Sequence, residues 1–120
     1  MKQITKIGIL VCLLATTSIH AQTFEWAKSF GVTSNEDGRS ITVDASGNVY
    51  TTGEFSGTAD FDPGAGASNL ISAGRSDIFV QKLDASGNFL WAKSFGGINS
   101  DRGISITVDA SGTVYTTGEF

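Results

Sequence analysis

The sequence predicts an all-β chain built from tandem copies of one antiparallel strand unit. Three observations carry this expectation. First, "FEWAKSFG" (24–31) returns as "FLWAKSFG" (89–96), and "SITVDASGNVYTTGEF" (40–55) returns as "SITVDASGTVYTTGEF" (105–120). Second, the offset is constant at 65 residues, whether counted from Trp26 to Trp91 or from Asp44 to Asp109. Aligning 24–55 with 89–120 matches roughly 23 of 32 positions without a gap, which marks copying within one chain. Third, the repeated words are of strand length and rich in β-branched and aromatic residues, with no helical periodicity after residue 21.

The first 21 residues stand apart from this pattern. Lys2 and Lys6 precede an apolar run, "IGILVCLLA" (7–15), too short to span a bilayer and of the length of a secretion signal. Cleavage after Ala21 is expected, so the chain is expected to be exported and to act outside the cell or at its surface. Ile19 is a little large for the small-residue pattern before such a site. The only cysteine, Cys12, and the only histidine, His20, leave with this segment. Residues 22–120 then hold no thiol, imidazole or disulfide. They carry six basic residues against twelve acids, a net charge of about −6. An acidic surface with scattered bases argues against nucleic acid, which needs clustered Lys and Arg. No second apolar run is long enough for a membrane span.

Within the repeat, "DASG" marks the corners. It stands at 44–47, 84–87 and 109–112, each time between two strand-like runs. Asp, Ser and Asn on alternate positions could be read as oxygen ligands. However, each copy offers one carboxylate, and Asn48 becomes Thr113 in the third. A hairpin corner explains the pattern better. Gly supplies the positive φ a short turn needs, and the Asp side chain accepts bonds from nearby backbone N–H groups. Counting from these corners, one unit is two hairpins, with strands expected near 78–83, 89–95, 104–108 and 114–120. Four short strands per tandem repeat is the arithmetic of a β-propeller blade, a twisted sheet that buries its faces on the next blade. Ile41 with Val43, and Ile106 with Val108, alternate as one apolar face. Trp26 and Trp91 are expected to be packing anchors between sheets.

"SDIFVQKLDASGNFLWAKSFGG" followed by "ITVDASGTVYTTGEF" resembles the SBBP-type β-propeller repeats of secreted bacterial proteins. The words occur in order and at repeat spacing over nearly all of 24–120. The resemblance implies a propeller of several blades and fixes no catalytic set. On this reading the chain divides into a signal (1–21), a partial blade (24–55), a linker loop (56–76) and a full blade (77–120). Seven strands cannot close a ring, which needs at least about four blades. The expectation is therefore an incomplete ring, the front of a longer propeller. Its roughly 99 residues after the signal can bury a modest core. They leave open sheet that further blades or self-association must cover.

Candidate chemistry is sparse. The 56–76 segment holds Asp60 and Asp62 beside the only proline, Pro63. They are weak calcium candidates, because calcium takes six to eight oxygens and no third acid or closing Glu follows. An ordinary loop with a Pro-Gly turn explains them better, and "SNLIS" is expected to add a short strand. The loops 32–37 and 97–102 differ between copies on a matching frame, as on a scaffold whose rim binds, although unconstrained tips also vary. No catalytic residue and no cofactor is expected: no "GxSxG" or "HExxH" occurs, and Glu54 and Glu119 repeat as structural positions. The reading is a non-enzymatic scaffold or a binding module for protein or glycan. The alternative is the leading part of an extracellular hydrolase whose acids lie elsewhere.

Overall fold

A computed structural model describes residues 22–31 and 35–120. The expected signal with Cys12 and His20, and part of the 32–37 loop, lie outside the described residues. Eight strands are present among those described: β1 (Glu36–Val43), β2 (Val49–Phe55), β3 (Thr58–Asp60), β4 (Asn69–Ile71), β5 (Asp77–Leu83), β6 (Phe89–Phe95), β7 (Arg102–Val108) and β8 (Val114–Glu119). All strand pairs are antiparallel. The all-β, propeller-type fold class is as the repeat predicted.

The three "DASG" words are the corners of β1–β2, β5–β6 and β7–β8. In each, the Asp N–H donates to the carbonyl four residues on, and the Gly N–H donates back to the Asp carbonyl at 3.0 Å. Gly47, Gly87 and Gly112 have φ of 82°, 78° and 85°, a region that costs an L side chain about 1–2 kcal/mol.

Strand pairing corrects the expected blade phase. The four-stranded sheet runs β1-β2-β5-β6, whereas β7-β8 forms a separate two-stranded sheet. The expected full blade, 77–120, is thus split, and its first hairpin joins β2 in a register from Val49↔Leu83 to Phe55↔Asp77. The cause lies in the two connections. The 56–76 segment returns the chain beside β2, so that β5 adds to its edge. The short turn after β6 instead carries β7 across the face of β1 and β2. There Ile106 buries against Tyr50 and Val80, a packing contact in place of a sheet edge. Segment 24–30 forms no strand; Trp26 Nε1 donates to the Ala85 carbonyl at 2.9 Å, and its indole lies against Gly87 of the β5–β6 corner.

The sheet buries both faces, as period-2 alternation requires. On one, Phe55 and Phe79 pack with Ala59 and Phe61, flanked by Phe30, Leu70, Phe89 and Ala92. Phe61 comes from the segment expected to be a linker. That segment folds as the β3–β4 hairpin, whose β4 is the short strand expected at "SNLIS", and inserts its aromatic ring into the core. On the other face, Tyr50, Val80 and Ile106 pack with Trp91, Phe95, Val108 and Val114. Trp91 meets Tyr50 of the same sheet edge to face at 6.2 Å and packs on the cluster that Ile106 of β7 joins, whereas Trp26, expected to anchor sheets as well, lies at the β5–β6 corner.

Candidate functional site

All three corners lie at one end of the strands, and the longer connections lie at the other. At the corner end each Asp is committed to its own turn. Asp44 Oδ1 accepts the Ser46 and Asn48 N–H groups at 2.9 Å, while Oδ2 accepts Asn48 Nδ2 at 2.8 Å and the Tyr50 hydroxyl at 3.0 Å. Asp84 repeats this with Ser86 and Asn88. Asp109 uses Ser111, Thr113 and the Tyr115 hydroxyl, so Thr113 at the Asn position still donates its N–H. A cleft of about 260 Å³ separates the corners of β1–β2 and β7–β8, with Lys82 at its floor, 4.9 Å above the Tyr50 ring.

These bonds set the acidity of the corners. Side-chain donation from Asn48 and from Asn88 holds Asp44 and Asp84 below the ordinary carboxylate range. For Asp109, the Ser111 hydroxyl and then the Thr113 N–H lower the value to about 2. A carboxylate depressed in the folded state stabilises it above the unfolded value and loses that contribution as pH falls through the folded value. An Asp109→Ala variant is therefore expected to melt below the wild type at neutral pH. The gap should close as pH falls from 3.8 towards about 2, which thermal melts across that range would show. A gap independent of pH would mean that the carboxylate charge plays no part.

Asp60 and Asp62 shape the loop that holds Phe61. Asp60 Oδ1 accepts the Asp62 and Ser68 N–H groups at 3.0 and 2.8 Å, and Asp62 Oδ1 accepts Gly64 N–H at 2.8 Å. The Ser68 N–H is the main cause of Asp60's lowered pKa. Among the described residues no group of three or more His, Cys, Asp or Glu side chains is placed to hold a metal ion.

The loop end brings more varied chemistry together. Glu54 on β2 accepts Arg39 Nη2 at 2.7 Å, Arg102 Nε at 3.1 Å and the Ser76 hydroxyl at 3.3 Å. One carboxylate thereby ties its own sheet to the next one through Arg102. Burial works to raise the Glu54 pKa, but the two guanidinium bonds outweigh it and hold it low. Beside it opens a cleft of about 340 Å³ lined by Asn35, Asp37, Glu54, Ser56, Arg75 and Ser76. Arg75 is exposed, and its guanidinium makes no ion pair among the described residues. Sequence reasoning singled out the loops at this end but missed Arg75 and Ser76, which lie in no repeated word. Their signal was position alone, directly before the strand that β2 captures.

Antiparallel strand units packed face to face are the arrangement of β-propeller repeats. Residues 25–61 match the model of the SBBP family, the β-propeller repeat, and the all-β antiparallel units of the chain are consistent with propeller blades. An uncharacterized WD repeat-containing protein of Acanthamoeba polyphaga mimivirus is 28% identical over 109 residues, covering 79% of this chain and 8% of that protein. The regulatory protein FlaEY of Caulobacter vibrioides is 30% identical over 93 residues, covering 78% of this chain and 10% of its own. The chain thus spans a tenth or less of the length of these curated relatives. No solved structure matches the chain significantly. The family match and the architecture are those of a β-propeller repeat scaffold.

Proposed function

We propose that this chain is an exported, non-catalytic binding module that engages a polar protein or glycan surface through its loop end. The observation that carries this reading is the 340 Å³ cleft at Glu54 and Arg75, which opens where the loops differ between two copies of one frame. Its carboxylates, guanidinium, hydroxyls and amide offer donors and acceptors to a polar ligand, with an exposed cation at the rim. Glu54 is committed to two arginines and recurs as Glu119, which supports a structural rather than an acid–base role. The names of the relatives, a WD repeat-containing and a regulatory protein, support interaction rather than reaction. Export rests on the charged and apolar residues of 1–21.

A glycan array and a peptide library probed with the chain would test this. Arg75→Glu is expected to weaken whatever binds by about tenfold or more, as for loss of a charged anchor, while leaving the melting temperature unchanged. Binding that ignores Arg75, or the absence of any ligand on both arrays, would overturn the proposal.

A further inference from the structure

We propose that the exported chain is modified at Gln22, whose side chain closes on its own α-amine to give an N-terminal pyroglutamate. The proposal rests on the export read from residues 1–21. Cleavage after Ala21 makes Gln22 the first residue of the released chain. Its amine nitrogen then attacks Cδ of its own side-chain amide. The N–Cδ bond forms as the Cδ–Nε2 bond breaks, and the amide nitrogen leaves as ammonia with the proton that the amine gives up. No oxidant, cofactor or second reactant enters. Both reacting groups belong to one residue, so closure needs no bimolecular encounter.

The fold leaves this residue accessible. Gln22, Thr23, Phe24 and Glu25 are all exposed and belong to no strand. Phe24 is 84% exposed, so even the one aromatic ring of this arm stays outside the core. The chain is first tied at Trp26, whose Nε1 donates to the Ala85 carbonyl at 2.9 Å. Phe30 then packs beside the cluster of Phe55, Phe61 and Phe79. Residues 22–25 therefore form an arm ahead of the anchored chain, and ring closure at its tip disturbs no buried contact.

Closure changes what the arm presents. Residues 22–120 carry a net charge of about −6, and the ring removes the terminal cation as well. It also removes the free amine by which an aminopeptidase holds its substrate. An exposed arm is the part of a domain most open to trimming, and the ring blocks that attack at its first bond.

Mass spectrometry of the full chain, exported by a secreting host and left to stand at neutral pH, tests the proposal. Trypsin cuts after Lys28, so the terminal peptide is 22–28, "QTFEWAK". It is expected to be lighter by one ammonia and to resist an amine-labelling reagent. Gln22→Asn keeps an amide on a shorter side chain, whose closure would need a smaller, strained ring. Its peptide should keep full mass and take the label. Aminopeptidase should trim that variant as far as Trp26, where the indole is tied down, and leave the wild type whole. A wild-type peptide 22–28 at full mass that takes the label would overturn the proposal while leaving export intact. A terminal peptide starting at another residue near 22 would do the same. An uncut peptide 7–28 would overturn the modification and the export reading together.

Discussion

Phe61→Ala is expected to cost the fold about 3–5 kcal/mol, the range for deleting a fully buried aromatic side chain. Phe61 follows β3 and belongs to no strand, yet it is 0% exposed. Its ring lies 4.9 Å from Phe79, 5.2 Å from Phe55 and 5.3 Å from Phe30, so three separate segments meet on it. Its backbone is held as well: the carbonyl accepts Gln81 Nε2 at 2.6 Å, and its N–H donates to the Ser68 carbonyl at 3.1 Å. Neighbours fixed by sheet pairing have little freedom to collapse into the space, which places the cost at the upper end of such truncations. Domains of this size hold about 5–15 kcal/mol in all, so the change should remove a large fraction of it. Urea unfolding followed by tryptophan fluorescence would report a lower midpoint with an unchanged slope. A loss below about 1 kcal/mol would show that the 56–76 segment does not close this face.

The same residue shows what the sequence left illegible. The corners were readable because "DASG" recurs three times between strand-like runs, and a Gly with positive φ has few other uses there. The strands followed from the corners. Blade phase did not follow, because a 65-residue period is the same wherever counting starts. Pairing β6 with β7 and pairing β2 with β5 predict identical repeats. What decides between them is the long 56–76 connection, and its fold depends on Phe61 meeting Phe55 and Phe79 across the sheet. Gly, Ser and Ala dominate that segment, so its composition reads as linker while one aromatic residue pins it. Burial was equally hidden: "SITV" is buried at Ile106 and open at Ile41, and only the neighbour in space differs. At the loop end Glu54 was visible as a repeated acid. Its two arginines come from 15 and 48 residues away, a distance that no motif records.

Gly53→Ala is expected to cost about 3 kcal/mol, the upper end of overpacking in a close-packed site. Gly53 lies in the middle of β2, where a small residue ordinarily weakens a strand. Its reason is the bulge opposite. Gly38 pairs with Gly53 and Ser40 with Thr52, so Arg39 is the extra residue on β1. The bulge aims Arg39 at Glu54, 2.7 Å away, and it also presses the Asp37 carbonyl onto Gly53, where a Cβ would collide with the backbone oxygen. Backbone cannot swing aside as a side chain does, so relief requires opening β1 from β2 and loosening the Arg39–Glu54 contact. The next unit repeats the device, with a bulge between Gly103 and Ser105 and the Arg102 carbonyl against Gly118. Gly112→Ala is the informative control, because its Cβ meets nothing within 4 Å and only its φ of 85° opposes the change. That strain is worth about 1–2 kcal/mol. If both variants unfold at the same urea concentration, conformational strain alone accounts for these glycines and the bulge exerts no steric demand. A clear gap, with Gly53→Ala the weaker and the amides of β1 exchanging faster, would tie the glycine in "TTGEF" to the placement of the arginine that reaches the glutamate beside it.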